Sequence, residues 1–282
     1  RYRNKMEFAF GETDGTPYLG LMARGSYEDV VPIEQCHLST ERAMTAVRAA
    51  EAYVRQEGLR AYAARQRTGA MRHFVVREGR NTGDLMLNLV SFMTVQPLPS
   101  FVDAMAPLAP TTILWTHNNT YGAVVQADRL HVMAGSGEIS ERLGHLRLHV
   151  GPFSFLQTNT EMVETLYAEI EHQAQLTGGE TVLDLYCGVG AIGLSLARQA
   201  RHVVGIEANA EAVAFARRNA ESNGIANAEF QCASVEALST LTLGAIKPDV
   251  VILDPPRAGV HPRTLATLRE LRCPKIVYVS CN

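Results

Sequence analysis

The chain has little of what would place it in a membrane or an oxidising compartment. Its 282 residues contain no apolar run approaching the roughly 20 that a membrane-spanning helix needs. No stretch reads as a signal peptide. The five cysteines, Cys36, Cys187, Cys232, Cys273 and Cys281, are odd in number and irregular in spacing. They do not read as a disulfide framework, and the expected compartment is a reducing cytoplasm. Glycine–serine linkers and internal repeats are absent. Charge of one sign is also scarce: at a net −3 the chain as a whole carries no electrostatic sign of nucleic-acid binding. Nine arginines nevertheless crowd between Arg42 and Arg80 with few acids among them. They could form a phosphate-facing surface, or equally the solvated face of a helix.

What is present describes a soluble globular protein with a real core, 46% hydrophobic and 20% charged. The length exceeds the usual single domain, so two domains are expected. The chain opens on Arg1-Tyr2-Arg3-Asn4-Lys5 and stops inside strand-like sequence, which reads as a piece of a longer protein. Met6, Phe8 and Phe10 alternate with polar or small residues and Leu19–Met22 returns, predicting a hairpin turning over Gly11–Thr16. Ser39 or Thr40 can cap a helix reaching about Gln56, ended by Gly58. Strands are predicted at Met71–Arg77, Leu85–Phe92, Ile113–His117, Gly122–Gln126 and Leu146–Val150, with a short helix over residues 99–109. This is an antiparallel α+β domain, residues 1–151, joined near Gly151-Pro152 to a second domain, residues 152–282.

The second domain is organised around Thr181–Asn209. Val182, Leu183 and Leu185 form an apolar run like a buried parallel strand. A turn on Gly188 and Gly190 follows, then a helix, then a second strand closed by Glu207. Such a β-α-β unit brings backbone N–H groups and a carboxylate to a nucleoside: Glu207 can accept from two ribose hydroxyls. Gly188, Gly190 and Gly193 match the dinucleotide fingerprint, so an NAD-dependent oxidoreductase is one reading. Asp184 in the strand end, and Tyr186-Cys187 before the glycines, argue against it. So does a later strand ending in Asp254-Pro255-Pro256-Arg257. Strand and helix alternate to the end of the chain, with a helix expected over Ser234–Leu241, so the sheet should be mostly parallel and doubly wound. Ligands then collect at the carboxyl ends of the strands, where Asp184, Tyr186, Glu207, Asp254 and Cys281 fall. Asp254, before two prolines, is a rigid carboxylate suited to orienting an amine or imide N–H. Cys281 is either a small buried residue or, with local help to form a thiolate, a nucleophile. Cys36 taken alone is a structural cysteine or a ligand lacking partners.

With these residues in place the chain resembles the S-adenosylmethionine-dependent RNA 5-methyluridine methyltransferases, which modify uracil in tRNA and large-subunit rRNA. The resemblance rests on Tyr2-Arg3-Asn4-Lys5, Phe155 to Asn159, Asp184 to Gly190, Asp254 to Arg257 and Ser280-Cys281-Asn282. It implies a Rossmann-like methyltransferase fold binding S-adenosyl-L-methionine through Gln157, Tyr186, Gly188, Glu207 and Asp254. The flipped base would meet Phe155, as a stacking surface, with Gln157 and Asp254. Cys281 would be the nucleophile. Ala191 replaces an asparagine of the family. The general base and an RNA-binding β-barrel would lie outside these residues. The rRNA branch carries a 4Fe-4S cluster, and Cys36 matches its fourth ligand. The implied function is methylation of uridine C5 in 23S rRNA, by a monomer that touches RNA and no membrane. Methylation in tRNA, methylation of an amide or amine, and a non-catalytic RNA- or cofactor-binding module are the alternatives.

Overall fold

The computed structural model describes residues 1–282 apart from residue 27 and residues 64–65, 121–126, 240–242, 244 and 281–282. The chain divides into two compact units, Arg1–Ser140 with Thr158–Thr160, and Glu141–Gln157 with Glu161–Asn282.

The first unit is built on a seven-stranded sheet ordered β3-β2-β1-β4-β5-β6-β7. Strands β1 (Lys5–Thr13) and β2 (Thr16–Met22) form the expected hairpin, but β1 runs past Gly11. The turn is only Asp14-Gly15, both at positive φ (49° and 77°), the left-handed pair that a two-residue hairpin loop requires. Strand β3 (Val30–Pro32) lies at the edge. Helix α1 (Glu41–Gln56) starts where the Thr40 side chain accepts from the Ala43 N–H at 3.0 Å. It buries Met44, Val47, Ala50 and Val54 in a core shared with Phe8, Phe74, Leu87 and Trp115.

Strands β4 (Met71–Glu78) and β5 (Leu85–Ser91) pair antiparallel, but β6 (Thr112–His117) runs parallel to β5. The expected all-antiparallel pattern fails here because helix α2 (Ser100–Met105) intervenes between them. A parallel neighbour needs such a crossover, not a hairpin. The strand expected at Gly122–Gln126 lies outside the described residues. Strand β7 (Arg129–Ala134) was not expected, nor was β8 (Ile139–Leu143), which forms a two-stranded sheet with β9 (Leu146–Val150) that from Glu141 on belongs to the second unit.

The crowded arginines are engaged within this unit. Arg60 forks onto Glu12, Arg55 pairs with Glu51, and Arg48 pairs with Glu41. Arg72 is buried over the rings of Tyr62 and Phe92 and donates to Asn118.

The second unit carries a five-stranded parallel sheet ordered β12-β11-β10-β13-β14. Its strands are β10 (Thr181–Leu185), β11 (His202–Glu207), β12 (Ala228–Cys232), β13 (Val250–Leu253) and β14 (Lys275–Tyr278). β10 and β13 are buried throughout, which is why they read as apolar runs without alternation. Helices α3 (Thr160–Ala174), α4 (Ala191–Leu196) and α5 (Ala210–Ser222) contribute to one core, with Val163, Leu194 and Val213. Helix α6 (Pro262–Leu271) contributes Leu268 to a second, with Leu183, Val204 and Val251. Where a helix was expected over Ser234–Leu241 the structure has a 3-10 turn, Val235–Ala237, and residues 240–241 of that stretch lie outside the described residues. The strand order reverses between β10 and β13, and that switch point is where an open parallel sheet receives ligands.

Candidate functional site

Backbone conformation builds the site first. After β10 the chain turns through Tyr186 (φ 64°), Gly188 (φ 53°) and Gly190 (φ 80°). The Tyr186 and Cys187 N–H groups both donate to the Ile206 carbonyl, at 3.0 and 3.2 Å. Gly190 is required twice over, by its φ and by space: a Cβ there would stand 2.8 Å from the Phe230 ring. Gly188 is the opposite case. A Cβ there would meet only the Phe155 carbonyl oxygen, at 3.8 Å, so this side of the turn is open. For Tyr186 a left-handed conformation costs about 1–2 kcal/mol, and such strain persists only where the surroundings over-determine it.

Glu207 closes β11 beside this turn. Its Oε2 accepts from the Gly188 N–H at 3.2 Å and its Oε1 from the Asn209 N–H at 2.9 Å. A carboxylate has about four acceptor positions, so each oxygen can still take a ribose hydroxyl. At the end of β13, Asp254 Oδ2 accepts from Gln157 Nε2 at 3.1 Å. Burial raises the pKa of Asp254, and the Gln157 hydrogen bond opposes the rise. Phe155, two residues before Gln157, is 62% exposed, an aromatic face turned to solvent.

Asp184 lies beneath this rim, fully buried. Its Oδ2 accepts from the Gly193 N–H at 2.9 Å, and among the described residues its Oδ1 has no hydrogen-bond partner. Burial pushes its pKa up to about 7; the Gly193 N–H opposes this, while Asp254 and Glu207 add to it. The same burial, with Asp184 and Glu207 nearby, pushes the Cys187 thiol far up, so Cys187 stays protonated. Tyr167 on α3 is buried close enough to feel Asp254 and Asp184, and its phenol is likewise raised, chiefly by burial.

Gln157, Tyr186, Gly188, Glu207 and Asp254 therefore stand around one set of strand ends, with Phe155 beside Gly188. Cys281 lies outside the described residues. Cys36 does not join the group: it is buried in the core of the first unit. No group of three or more His, Cys, Asp or Glu side chains that could hold a metal occurs among the described residues. One thiol supplies one of the four ligands of an iron–sulfur cluster, so these residues alone do not fit such a group. They do fit S-adenosyl-L-methionine: an open glycine turn, a carboxylate with spare acceptor capacity and an unpartnered buried carboxylate oxygen lie together. Sequence reading missed Glu236, whose Oε1 accepts from the Tyr186 hydroxyl at 3.1 Å, and Tyr167. Tyr167 sits amid a helical apolar pattern and gives no separate signal.

Comparison with known proteins assigns the chain to a family. A curated RNA methyltransferase of Clostridium tetani, itself described as uncharacterized, is 37% identical over all of this chain. Another from Caldanaerobacter subterraneus is 36% identical. The chain spans 63% of the length of each. Among solved structures, the Pyrococcus abyssi tRNA (uracil-54, C5)-methyltransferase in complex with S-adenosyl-L-homocysteine is 31% identical. It aligns with all of this chain and 66% of its own, at a TM-score of 0.80. The sequence profile of the tRNA (Uracil-5-)-methyltransferases matches residues 133–282, more than half of the chain. The chain thus belongs to the tRNA (uracil-5-)-methyltransferase family, within the S-adenosylmethionine-dependent RNA 5-methyluridine methyltransferases.

Proposed function

We propose that the protein containing this chain methylates C5 of one uridine in RNA, with 23S rRNA as the substrate. In this reading residues 1–151 face the RNA and residues 152–282 hold the cofactor, and the enzyme works as a cytoplasmic monomer. The observation that carries the reading is the grouping of Glu207, the open Gly188 turn and the Gln157–Asp254 pair at the ends of adjacent strands. Glu207 takes the ribose hydroxyls of S-adenosyl-L-methionine, and Gly188 leaves room for its approach. Gln157 and Asp254 offer an amide and a carboxylate side by side, matching the alternating donors and acceptors of a uracil edge. Phe155 stacks on the extruded base; that contact is worth about 1–3 kcal/mol against an unstacking cost of a few kcal/mol.

Uracil C5 is a poor nucleophile, and Cys281 serves to change that. Its thiolate adds to C6, and the C5–C6 π pair moves onto C5 and O4 as an enolate. S-adenosyl-L-methionine, when bound, supplies a methyl group on a sulfonium. The enolate C5 takes that methyl, and the bonding pair stays on the departing sulfur. A base removes the C5 proton, the double bond re-forms and the thiolate leaves. One hard step becomes several easier ones.

A tRNA substrate is the second reading, favoured by the likeness to the Pyrococcus abyssi enzyme. Mass mapping of 5-methyluridine in rRNA and tRNA from a deletion strain separates the two: loss of one 23S position supports the proposal, and loss only from tRNA replaces it. The iron–sulfur cluster is tested on anaerobically purified full-length protein. Cys36 as its fourth ligand requires iron and brown absorbance; their absence counts against the rRNA assignment.

A further inference from the structure

The strained residue of the glycine turn is held by a contact that crosses the site. Tyr186 stands at φ 64°, and its ring packs on the core formed by Leu183, Val251 and Leu268. Its hydroxyl donates to Glu236 Oε1 at 3.1 Å, on the 3-10 turn that follows β12. Glu236 is itself fixed: its Oε2 accepts from the Ser234 hydroxyl at 2.6 Å. Thr264 and the His261 backbone, at the start of α6, lie close enough to the phenol to affect its ionisation. The tip of β10 is thereby tied to the segment leaving β12, beside the helix after β13. Those elements flank the ends of β10 and β11, where Gly188 and Glu207 hold the nucleoside.

We propose that Glu236 is the positioning residue of the cofactor's nucleoside subsite: by accepting from the Tyr186 hydroxyl it fixes the Tyr186 ring and, with it, the turn that carries the Gly188 N–H to Glu207. Tyr186 touches the cofactor; Glu236 acts through Tyr186. A phenol without that acceptor could rotate away, and the turn would lose one of the contacts that over-determine its left-handed residue. The geometry makes this specific, since an acceptor at Glu236 is what the phenol needs and a negative charge is not.

This inference rests on the assignment of the site to S-adenosyl-L-methionine, and the experiment keeps the two apart. Binding of S-adenosyl-L-homocysteine to the full-length protein is measured by calorimetry for the wild type, Glu236→Ala, Glu236→Gln, Tyr186→Phe and the Tyr186→Phe/Glu236→Ala double variant. Loss of one hydrogen bond near the surface predicts about tenfold weaker binding for Glu236→Ala and for Tyr186→Phe. The double variant should be no weaker than either single one, and Glu236→Gln, which keeps a carbonyl acceptor, should recover to within about twofold of wild type. Glu236 lies at the surface, so melting temperatures without ligand should stay together and exclude a folding defect. A wild type that fails to bind overturns the site assignment itself. A wild type that binds while Glu236→Ala binds equally well overturns the positioning role. So do additive losses in the double variant, or a Glu236→Gln variant as weak as Glu236→Ala.

Discussion

Asp184→Asn should flatten a pH dependence of stability that the wild type carries through one buried carboxyl. In an unfolded chain an aspartate titrates near ~3.9, whereas burial raises Asp184 to about 7. The folded state thus holds a proton that the unfolded state has released throughout the window between those values. Stability from this group is fully present below about 3.9 and is lost as pH rises through about 7. Each pH unit inside the window is worth at most about 1.4 kcal/mol for one proton, so the second unit should lose about 2–2.5 kcal/mol between pH 5 and pH 7. Asparagine keeps the shape and an acceptor for the Gly193 N–H, carries no proton to lose, and should show almost none of this slope. The assay must look at the right unit. The single tryptophan is Trp115, in the first unit, so its fluorescence follows the wrong half of the chain. Hydrogen exchange of a peptide spanning Thr181–Leu185, corrected for intrinsic rates at each pH, reports the opening of β10 itself. An unchanged slope in Asp184→Asn would show that Asp184 is ionised in the folded protein at pH 5, and the account of its burial would be wrong.

If Glu207 takes the ribose hydroxyls as proposed, Glu207→Ala should weaken S-adenosyl-L-homocysteine binding roughly 30-fold or more by calorimetry; unchanged affinity takes Glu207 out of the site. Gly190→Ala combines a left-handed φ with a Cβ placed 2.8 Å from Phe230. It should cost about 2–5 kcal/mol in a denaturant titration followed by exchange of the second unit, and a loss under 1 kcal/mol would mean that the turn relaxes freely. RNA carrying 5-fluorouridine at the target should trap the full-length enzyme covalently, because fluorine replaces the proton that the base must remove. Cys281→Ala should give neither adduct nor 5-methyluridine, while Cys187, Cys232 and Cys273 remain replaceable; continued C5 methylation by Cys281→Ala would end the thiolate mechanism.

Legibility in the sequence followed burial and locality. The β10 run was readable because both faces of that strand are covered, leaving no polar residue to blur it except Asp184. The β1–β2 hairpin, though not the exact place of its turn, and a helix cap at Ser39 or Thr40 were readable because each is settled within a few neighbouring residues. β7 was not, since Leu130 and Val132 are largely exposed and its alternation therefore imitates a loop. The parallel β5–β6 pair was missed for another reason: α2 is six residues long, too short to announce a crossover by its periodicity. At the candidate site, the residues that stand at strand ends could be placed, because strand ends can be counted. Glu236 was not, because its partner Tyr186 lies 50 residues away and the link exists only once the sheet is assembled.

The charge of the assembled rim should also decide which nucleoside cofactor this glycine turn takes. Asp184, Glu207 and Asp254 close three adjacent strands, β10, β11 and β13, and the first is raised in part by the other two. A dinucleotide would bring the two negative charges of a pyrophosphate to this turn, beside three carboxyl groups. S-adenosyl-L-methionine brings a sulfonium and an ammonium against one carboxylate, a net positive charge, and a cation beside a buried carboxyl favours its ionised form. Its binding should therefore release a proton from Asp184 at pH 6–7, which calorimetry in buffers of different ionisation enthalpy detects directly. S-adenosyl-L-homocysteine keeps the ammonium and lacks the sulfonium charge, so it should release less, and Asp184→Asn should release none with either ligand. Stabilisation by NAD in a thermal-shift assay equal to that by S-adenosyl-L-methionine would refute the electrostatic argument, because it would mean that the three carboxylates do not discriminate between ligands of opposite charge.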